Sequence, residues 1–395
     1  MGKLRHCEVY SDCGGCSRLD IPYKRQLELK REMVRENIAA ADEDPDTVDE
    51  VVGAENPWRY RNKLDLTFSP QGQLGFHKKG YFNRYVPVNK CLLGSCQMDK
   101  VIQITQDWAL KWEFEGFHKQ KHTGLLRHLM LRESAKTGDL MVVLYTHRGA
   151  ENDGFSTALD DWVQRLLAGE AQIGPIMWGR NPRVGDVADA PEEEVSQLWG
   201  EEYLAEELAG YNFRIYRETF FQINHVQAER LVQLTRKMAA AEECSLVMDL
   251  YSGIGTLSLP LADDAEDGLL VGVEINDQAT LAARKNAERN RVENVRFITD
   301  NVRLGIPKVR EDYAGSADLV ILDPPRSGAG GKVMRKIGRT QAERVVYVSC
   351  NPESFARDLE EILPFRYRLE KVTPLDMFPH TEHVEIVAQL QHHNV

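Results

Sequence analysis

The feature that most constrains the fold of this chain is a regular alternation of strands and helices from about residue 216 to the end. Short runs of β-branched and apolar residues alternate with segments that carry charged residues at helical spacing. The predicted strands are 245–251, 269–275, 295–300, 318–323, 345–350, 369–372 and 384–391, and the predicted helices are 226–241, 277–291, 332–340 and 353–363. This βαβ order predicts an α/β fold with a doubly wound parallel sheet in the carboxyl-terminal part of the chain.

The strand predicted at 345–350 ends in a lone cysteine. The run R-V-V-Y-V-S leads into Cys350, and Asn351-Pro352 then turns the chain into the next helix. The thiol is therefore expected at the carboxyl end of a buried strand, which is where the ligand-binding and active sites of open α/β sheets lie. A free cysteine is also a common small apolar core residue, so its position alone leaves both interpretations open.

Length and composition define the class of protein. A chain of 395 residues is long enough for two or three domains, and 42% hydrophobic with 28% charged residues is typical of a globular protein. We find neither an apolar stretch long enough to cross a membrane nor a signal peptide, so we expect a cytoplasmic protein with no membrane partner. The net charge of -12 argues against nucleic-acid binding over the whole surface.

Seven cysteines, an odd number that is unevenly spread, do not indicate a disulfide framework. Cys7, Cys13 and Cys16 have the spacing C-x5-C-x2-C, with two glycines between the last two. Three clustered thiolates need a fourth ligand from elsewhere to hold a metal centre, and Cys91 is the candidate, with Cys96 as the alternative. This spacing favours a [4Fe-4S] cluster over zinc, and it favours either metal centre over a segment that binds no metal. We expect 1–50 to form this cysteine segment and an amphipathic helix at 23–38.

The segment 51–215 is predicted to be a β-rich middle domain. Strands are expected at 60–68 and 73–88, and 125–133 is expected to pair with 140–147. Between residues 58 and 148 there are 15 Lys and Arg against 7 Asp and Glu, an excess of positive charge that suits a phosphate backbone. Aromatic residues interleave with these charges and offer rings for stacking on unpaired bases: Trp58, Tyr60, Phe76, Tyr81, Phe82 and Tyr85. The alternative is a solvated sheet face with ordinary core aromatics.

The strand ends of the 216–395 domain carry the pattern of an S-adenosylmethionine site. The loop D-L-Y-S-G-I-G-T after the first strand lacks the third glycine of a dinucleotide fingerprint and the lysine of a phosphate loop. Glu274 ends the second strand, where an acidic side chain can hold a ribose diol. Asp300-Asn301 ends the third strand, where it can meet an adenine edge. Together the three predict S-adenosylmethionine as the cofactor.

Two further segments indicate which chemistry this cofactor serves. The fourth strand ends in Asp323-Pro324-Pro325-Arg326, which by itself is typical of attack by an exocyclic amine, although Arg326 stands where an aromatic residue is usual. A thiol and a carboxylate near one methyl donor instead favour thiolate addition to C6 of a pyrimidine, which makes C5 nucleophilic. Arg326 and the start of the helix after Cys350 are expected to lower the pKa of the thiol.

The residues quoted above resemble the RNA uracil-C5 methyltransferases, a family that forms 5-methyluridine. The resemblance covers nearly the whole chain and rests on seven motifs: C-x5-C-G-G-C at 7–16, N-K-C at 89–91, F-F-Q-I-N at 220–224, D-L-Y-S-G-I-G-T at 249–256, D-P-P-R at 323–326, Y-V-S-C-N-P at 347–352 and H-x-E at 383–385. It implies a Rossmann-like methyltransferase domain, a β-rich RNA-binding middle domain and an iron-sulfur segment at the amino terminus.

The resemblance also implies roles for individual residues. Cys350 corresponds to the nucleophile and Glu385 to the base that removes the C5 proton. The cofactor-binding positions correspond to Gln222, Tyr251, Glu274, Asn301 and Asp323. The cluster ligands correspond to Cys7, Cys13, Cys16 and Cys91, although Leu92 follows Cys91 where proline is usual, which keeps Cys96 as an alternative. Phe220 is our candidate to pack against the flipped uracil.

The substrate expected from this resemblance is RNA. The cysteine cluster of the chain favours 23S ribosomal RNA over transfer RNA as that substrate. The sequence before Cys7 has no room for the oligonucleotide-binding barrel of many relatives, so we expect the middle domain to grip the RNA. The protein is expected to act as a monomer without an obligate protein partner. The alternatives are transfer RNA with the same chemistry, RNA cytosine-C5 methylation, an amine methyltransferase and a non-catalytic iron-sulfur RNA-binding protein.

Overall fold

The structure is a computed structural model that describes residues 7–81, 83–149, 154–185, 187–313 and 316–393. Phe82, one of the aromatic residues proposed for base stacking, lies outside the described residues. The helices are α1 (Tyr23–Ala40), α2 (Cys96–Lys111), α3 (Phe155–Ala168), α4 (His225–Ala239), α5 (Ser258–Asp264), α6 (Asp277–Asn290), α7 (Val302–Asp312), α8 (Gly331–Gly338) and α9 (Pro352–Ile362). Short 3-10 helices cover Pro45–Thr47, Glu192–Glu194, Ala241–Glu243 and Leu363–Phe365.

The strands give two large sheets and a small hairpin. They are β1 (Lys63–Phe68), β2 (Leu74–His77), β3 (Tyr85–Pro87), β4 (Leu126–Glu133), β5 (Leu140–His147), β6 (Ile173–Asn181), β7 (Val195–Trp199), β8 (Tyr203–Leu208), β9 (Tyr211–Tyr216), β10 (Leu246–Leu250), β11 (Leu269–Glu274), β12 (Val295–Thr299), β13 (Leu319–Leu322), β14 (Arg344–Ser349), β15 (Tyr367–Leu375) and β16 (Glu385–His392). Each strand and helix predicted in the 216–395 segment is present, with ends that differ by a few residues.

The contacts divide the chain into two units. The first contains the segment that ends at Asp20, together with Asn56–Glu206 and Arg214–His225. The second contains Ile21–Glu55, Glu207–Phe213 and the chain from Val226 onward. The sequence analysis placed α1 with the cysteine segment, whereas the contacts place it in the second unit, because its buried residues Val34 and Ile38 join the core of the carboxyl-terminal sheet.

The first unit is built on a seven-stranded sheet in the order β3-β2-β1-β4-β5-β6-β7. The predicted pairing of β4 with β5 is present as an antiparallel ladder, whereas β5 and β6 run parallel with α3 between them in sequence. Helices α2 and α3 were not predicted. Their buried faces carry Trp108 and Trp162, which belong to the same hydrophobic core as the strands of this sheet. The middle of the chain is therefore mixed α and β rather than only β-rich.

The second unit is a seven-stranded sheet in the order β12-β11-β10-β13-β14-β16-β15. Strands β10 to β14 run parallel to one another, as predicted, and they supply many buried Val, Ile and Leu side chains to the core of this unit. Strand β16 inserts antiparallel between β14 and β15. Within the described ranges, no helix combines the length and apolarity needed to cross a bilayer.

Candidate active site

The carboxyl ends of four neighbouring parallel strands carry the predicted site residues of the second unit. Tyr251 directly follows β10, Glu274 ends β11, Asp323 directly follows β13 and Cys350 directly follows β14. The sheet order β11-β10-β13-β14 places these strand ends side by side along one edge. This edge is where ligands bind in open α/β sheets.

Glu385 reaches the same edge from the opposite direction. It is the first residue of β16, which runs antiparallel to β14, and the register pairs Ser349 with Ile386. The next residues outward along this ladder are Cys350 and Glu385. The antiparallel strand therefore brings together a thiol and a carboxylate that lie far apart in sequence.

The surroundings of Cys350 raise the pKa of its thiol to about 11. Burial is the main cause, and the carboxylates of Glu385 and Asp323 add to it, whereas the Arg326 guanidinium lowers the pKa. The prediction of a lowered pKa is therefore wrong for this structure. That prediction took account only of Arg326 and the start of α9. The carboxylates of Glu385 and Asp323 become neighbours of Cys350 through the topology of the sheet, which the prediction did not include.

The two carboxyl groups beside Cys350 also favour their protonated forms. Burial raises the pKa of Asp323 to about 7. Glu385 is only 2% exposed, and burial together with the charge of Asp323 raises its pKa well above the usual range. A buried carboxyl of this kind can take up and hold a proton near neutral pH, which is what a general base at this position requires.

Glu274 organises the glycine loop next to it. Its Oε2 accepts a hydrogen bond from the backbone N–H of Gly253 at 3.0 Å, and its Oε1 accepts one from Asn276 N at 2.8 Å. Tyr251 begins this loop with a φ of 63°, a left-handed conformation that is uncommon for residues other than glycine. The loop is therefore held in a defined shape, with its backbone at the strand end where a ligand can approach.

Asn301 follows the third strand of this edge and starts α7. Its side-chain oxygen accepts a hydrogen bond from Arg303 N at 3.0 Å and so caps the helix. The side chain is exposed at the carboxyl end of β12, as the sequence analysis expected. Asp300 supports the turn by accepting a hydrogen bond from Asn301 N at 2.7 Å.

Asp249, for which the sequence motifs predicted no role, is a further acidic residue of this edge. It is 1% exposed, its Oδ2 accepts a hydrogen bond from the Ser258 hydroxyl, and its Oδ1 is buried without a hydrogen-bond partner. Burial raises its pKa to about 7, and the charges of Asp323 and Glu274 act in the same direction. The signal that could have identified it is an aspartate inside an otherwise apolar strand, at the start of the glycine loop.

Phe220 and Gln222 belong to the first unit. The ring of Phe220 is 76% exposed, which leaves its face accessible for stacking. The backbone carbonyl of Gln222 accepts a hydrogen bond from the Asn62 side chain at 3.0 Å, so this segment is tied to the start of β1.

The first unit also brings together the four predicted cluster ligands. Cys7, Cys13, Cys16 and Cys91 all line one cavity of about 230 Å³, which is otherwise lined mainly by apolar residues. Cys96 does not line this cavity and is instead the exposed first residue of α2. The arrangement therefore favours Cys91 over Cys96 as the fourth ligand.

The donor set of this cavity fits a metal centre held by thiolates. Burial raises the pKa of Cys13 and Cys91 and raises that of Cys16 to about 12, and the neighbouring thiols add to the rise for Cys13 and Cys16. Arg61 opposes these shifts. Bound metal cations would remove the cost of four close thiolates. Among the described residues, however, no three His, Cys, Asp or Glu side chains are arranged to hold a single metal ion.

The sheet order, the acidic strand ends and the glycine loop define an S-adenosylmethionine-dependent methyltransferase. The family model described as "tRNA (Uracil-5-)-methyltransferase" matches residues 194–393. The chain belongs to this family of S-adenosylmethionine-dependent RNA uracil-C5 methyltransferases, as the resemblance predicted.

Similar proteins extend the match to nearly the whole chain. An uncharacterised RNA methyltransferase of Caldanaerobacter subterraneus subsp. tengcongensis is 33% identical over 98% of this chain and 84% of its own length. The tRNA (uracil(54)-C(5))-methyltransferase of Pyrococcus horikoshii is 33% identical over 97% of this chain and 85% of its own.

One solved structure covers both units. The crystal structure of Pyrococcus abyssi tRNA (uracil-54, C5)-methyltransferase in complex with S-adenosyl-L-homocysteine matches with a TM-score of 0.80 and 30% identity, over 98% of this chain and 86% of that chain. The prediction of S-adenosylmethionine as the cofactor is supported by this match.

Proposed function

We propose that the enzyme methylates C5 of a specific uridine in RNA through a covalent bond between Cys350 and C6 of the uracil. The observation that carries this proposal is the antiparallel register of β14 and β16, which pairs Ser349 with Ile386 and so brings Cys350 beside Glu385. A nucleophile and a base are both needed for this reaction, whereas an amine methyltransferase would leave both without a role. RNA cytosine-C5 methylation would call for a second cysteine where Pro325 stands.

The proposed steps account for every bond. Cys350 gives its proton to solvent, and its sulfur then bonds to C6, which places electron density on C5. S-Adenosylmethionine would supply the methyl group that C5 takes up, and S-adenosylhomocysteine would remain. Glu385 removes the hydrogen that remains on C5, the bond between sulfur and C6 breaks, and the thiolate leaves 5-methyluridine. Burial of Glu385 suits this step, because its raised pKa makes the carboxylate a stronger base.

The remaining predicted residues have supporting roles in this proposal. Tyr251, Glu274, Asn301 and Asp323 would hold the cofactor at the strand ends, together with Gln222. Phe220 would pack against the uracil once it leaves its stack, and its 76% exposure supports this role.

Two single substitutions test the covalent mechanism. Cys350→Ala is expected to abolish methylation and covalent capture of RNA that contains 5-fluorouridine. Glu385→Gln is expected to accumulate a covalent adduct with unmodified RNA, visible as a shifted band on a denaturing gel, because the C5 proton can no longer leave. Glu382→Gln removes an exposed carboxylate nearby and is the matched control, which should turn over normally. Retained turnover in Cys350→Ala would rule out the mechanism.

Ribosomal RNA is the first candidate substrate, supported by the cysteine cluster that the resemblance associates with the 23S type. Transfer RNA is the second, because the Pyrococcus relatives are named for uridine 54 of tRNA. The test is methylation of RNA from a strain that lacks the protein, with labelled S-adenosylmethionine and separated RNA classes. Label in 5-methyluridine of 23S RNA supports the first candidate, whereas label confined to transfer RNA supports the second. Label in another nucleoside contradicts both.

We further propose that Cys7, Cys13, Cys16 and Cys91 hold a [4Fe-4S] cluster. Support comes from the cavity that these four side chains share and from the unfavourable proximity of their thiols. Iron and sulfide analysis of protein purified without oxygen tests the proposal. About four irons and four sulfides per chain are expected for this cluster type, and zinc in their place would contradict it.

A further inference from the structure

Two neighbouring loops of the first unit carry a concentration of positive charge that the proposed chemistry does not use. One consists of the described residues 77–81 and 83–85 between β2 and β3, and the other is the segment 116–123 before β4. Neither contains Asp or Glu, and together they contain five Lys or Arg residues, namely Lys78, Lys79, Arg84, Lys119 and Lys121. We call the two loops together the basic hairpin surface.

Side-chain contacts bring the two loops together. The ammonium of Lys119 in the second loop lies 5.8 Å from the centre of the Tyr85 ring in the first loop. Within the first loop, the centres of the His77 and Tyr85 rings are 5.2 Å apart. The second loop closes on itself through a hydrogen bond from His118 N to Thr123 O of 2.7 Å. The cations of both loops therefore belong to one surface.

An exposed aromatic ring lies within this surface. Tyr81 is 46% exposed, and the Arg84 guanidinium lies 4.4 Å from the centre of its ring. Such a guanidinium and ring pair combines a stacking face with a charge for the adjacent phosphate. Base stacking requires a base that is not paired within a helix, so the ring favours single-stranded RNA over a duplex.

The cysteine segment holds the start of the first loop in place. The backbone N–H of Lys79 donates to Asp12 O at 2.7 Å, and that of Gly14 donates to His77 O at 3.0 Å. The Lys78 ammonium pairs with the Asp12 carboxylate at 2.6 Å. The loop is therefore anchored at its base, while Lys79, Tyr81 and Arg84 remain exposed.

We propose that the basic hairpin surface binds an unpaired stretch of the substrate RNA, with a base stacked on Tyr81 and phosphates contacted by Lys79, Arg84 and Lys121. This proposal rests on the proposed function, because it identifies where the same RNA is held. It specifies what the surface recognises, namely the phosphate backbone and one base face. The preference is therefore for unpaired RNA and not for a particular sequence.

Binding of fluorescent RNA tests the proposal. The probes are a single-stranded oligouridine and an RNA duplex of the same length. Fluorescence anisotropy measures the affinity for each probe at several salt concentrations. Wild type should prefer the single strand. Tyr81→Ala should weaken its binding about tenfold, in the range expected for loss of one stacked base. Lys79→Ala with Lys121→Ala should reduce the slope of log affinity against log salt by about 1.4, because each lost phosphate contact accounts for about 0.7.

Matched controls lie elsewhere in the same unit. Trp199→Ala removes a ring that is 51% exposed on β7, at the opposite edge of the sheet, and Lys100→Ala with Lys111→Ala removes two lysines from α2. Both should bind like wild type. Unchanged affinity in Tyr81→Ala, or equal salt slopes in the two double variants, would overturn the proposal, as would tighter binding of the duplex.

The methylation assay separates this proposal from the proposed function. The variants should raise KM for RNA while kcat at saturating RNA stays the same. If wild type methylates uridine and the variants bind RNA normally, only the assignment of the surface is wrong. If the variants lose oligouridine binding and wild type methylates no uridine in any RNA, the surface stands and the proposed function fails.

Discussion

Burial is the main cause of the raised pKa of the Cys350 thiol, and three ionisable side chains of the same sheet edge modify it. Negative charge on Glu385 and Asp323 disfavours the thiolate, whereas the Arg326 guanidinium favours it. In the RNA-free protein the thiol is therefore protonated at neutral pH. This state limits side reactions of the proposed nucleophile with other electrophiles, because the thiolate is the reactive form.

The raised pKa predicts how Cys350 reacts with an alkylating agent in the absence of RNA. Below a pKa of about 11, the thiolate fraction increases about tenfold for each unit of pH. Iodoacetamide modification of Cys350, followed by peptide mass spectrometry, should therefore accelerate about tenfold per unit of pH up to about pH 10. A rate that levels off above about pH 9 would show that the pKa is not raised.

The Arg326 side chain provides a second check of the same electrostatics. Arg326→Ala should raise the pKa of Cys350 further and slow its alkylation several-fold at a fixed pH, because a positive charge that favours the thiolate is lost. Arg326→Lys should restore most of the rate. Arg357→Ala, an exposed arginine of α9 that pairs with Glu353, is the control and should react like wild type.

At the scale of elements, α1 anchors the segment between β15 and β16 that leads to Glu385. The segment between β15 and β16 begins with Asp376, whose carboxylate forms a fully buried ion pair with Lys30 and accepts a hydrogen bond from the Tyr23 hydroxyl at 2.6 Å. Gln26 of the same helix accepts a hydrogen bond from His380 N at 3.0 Å. The buried face of α1 thus carries polar residues that anchor this segment, in addition to Val34 and Ile38.

Lys30→Met is expected to destabilise the protein by about 3–5 kcal/mol, because it leaves the buried Asp376 carboxylate without its countercharge. The double variant Lys30→Met with Asp376→Asn should recover much of this loss, since neither buried charge remains. Urea denaturation gives the free energies of unfolding. Lys24→Met, exposed on the same helix, should change stability by about 0.5 kcal/mol or less. Equal losses in the single and double variants would contradict the role of the pair.

At the scale of the whole molecule, the proposed metal centre and the proposed chemistry are assigned to different units. The four cysteines line a cavity of the first unit, whereas the strand ends with Glu274, Asp323 and Cys350 belong to the second. A local defect at the cysteines is therefore expected to act on the first unit and leave the fold of the second intact.

Cys13→Ser should open the cysteine segment without unfolding the methyltransferase sheet. Limited proteolysis is expected to cut the segment 7–20 faster than in wild type, because a lost ligand weakens the coupling of metal binding to local folding. Calorimetric binding of S-adenosylmethionine should persist. Cys96→Ser changes a cysteine that does not line the cavity and should behave like wild type in both measurements. Slower or unchanged cleavage in Cys13→Ser would argue against a bound centre.

The local patterns of the carboxyl-terminal half were sufficient to predict its strands and most of its helices. The elements missed there are α5 and α7, and α7 contains Pro307, which weakens a helical pattern. In the middle segment, α2 and α3 were not predicted, because the pattern of this segment was interpreted only as strands. Ser95 nevertheless caps α2, and apolar residues repeat at helical spacing in both helices.

The sequence by itself determined the order of elements, the cysteine at a strand end and the family, because these depend on local periodicity and short motifs. Only the tertiary structure decided which groups face each other. The insertion of β16 between β14 and β15 places Glu385 beside Cys350. Burial of the thiol, with the charge of Glu385 in addition, reverses the expected direction of its pKa shift. The same is true of α1, whose buried Lys30 has its partner 346 residues later in the chain. Contacts between such distant residues depend on strand order and packing, which local sequence patterns do not contain.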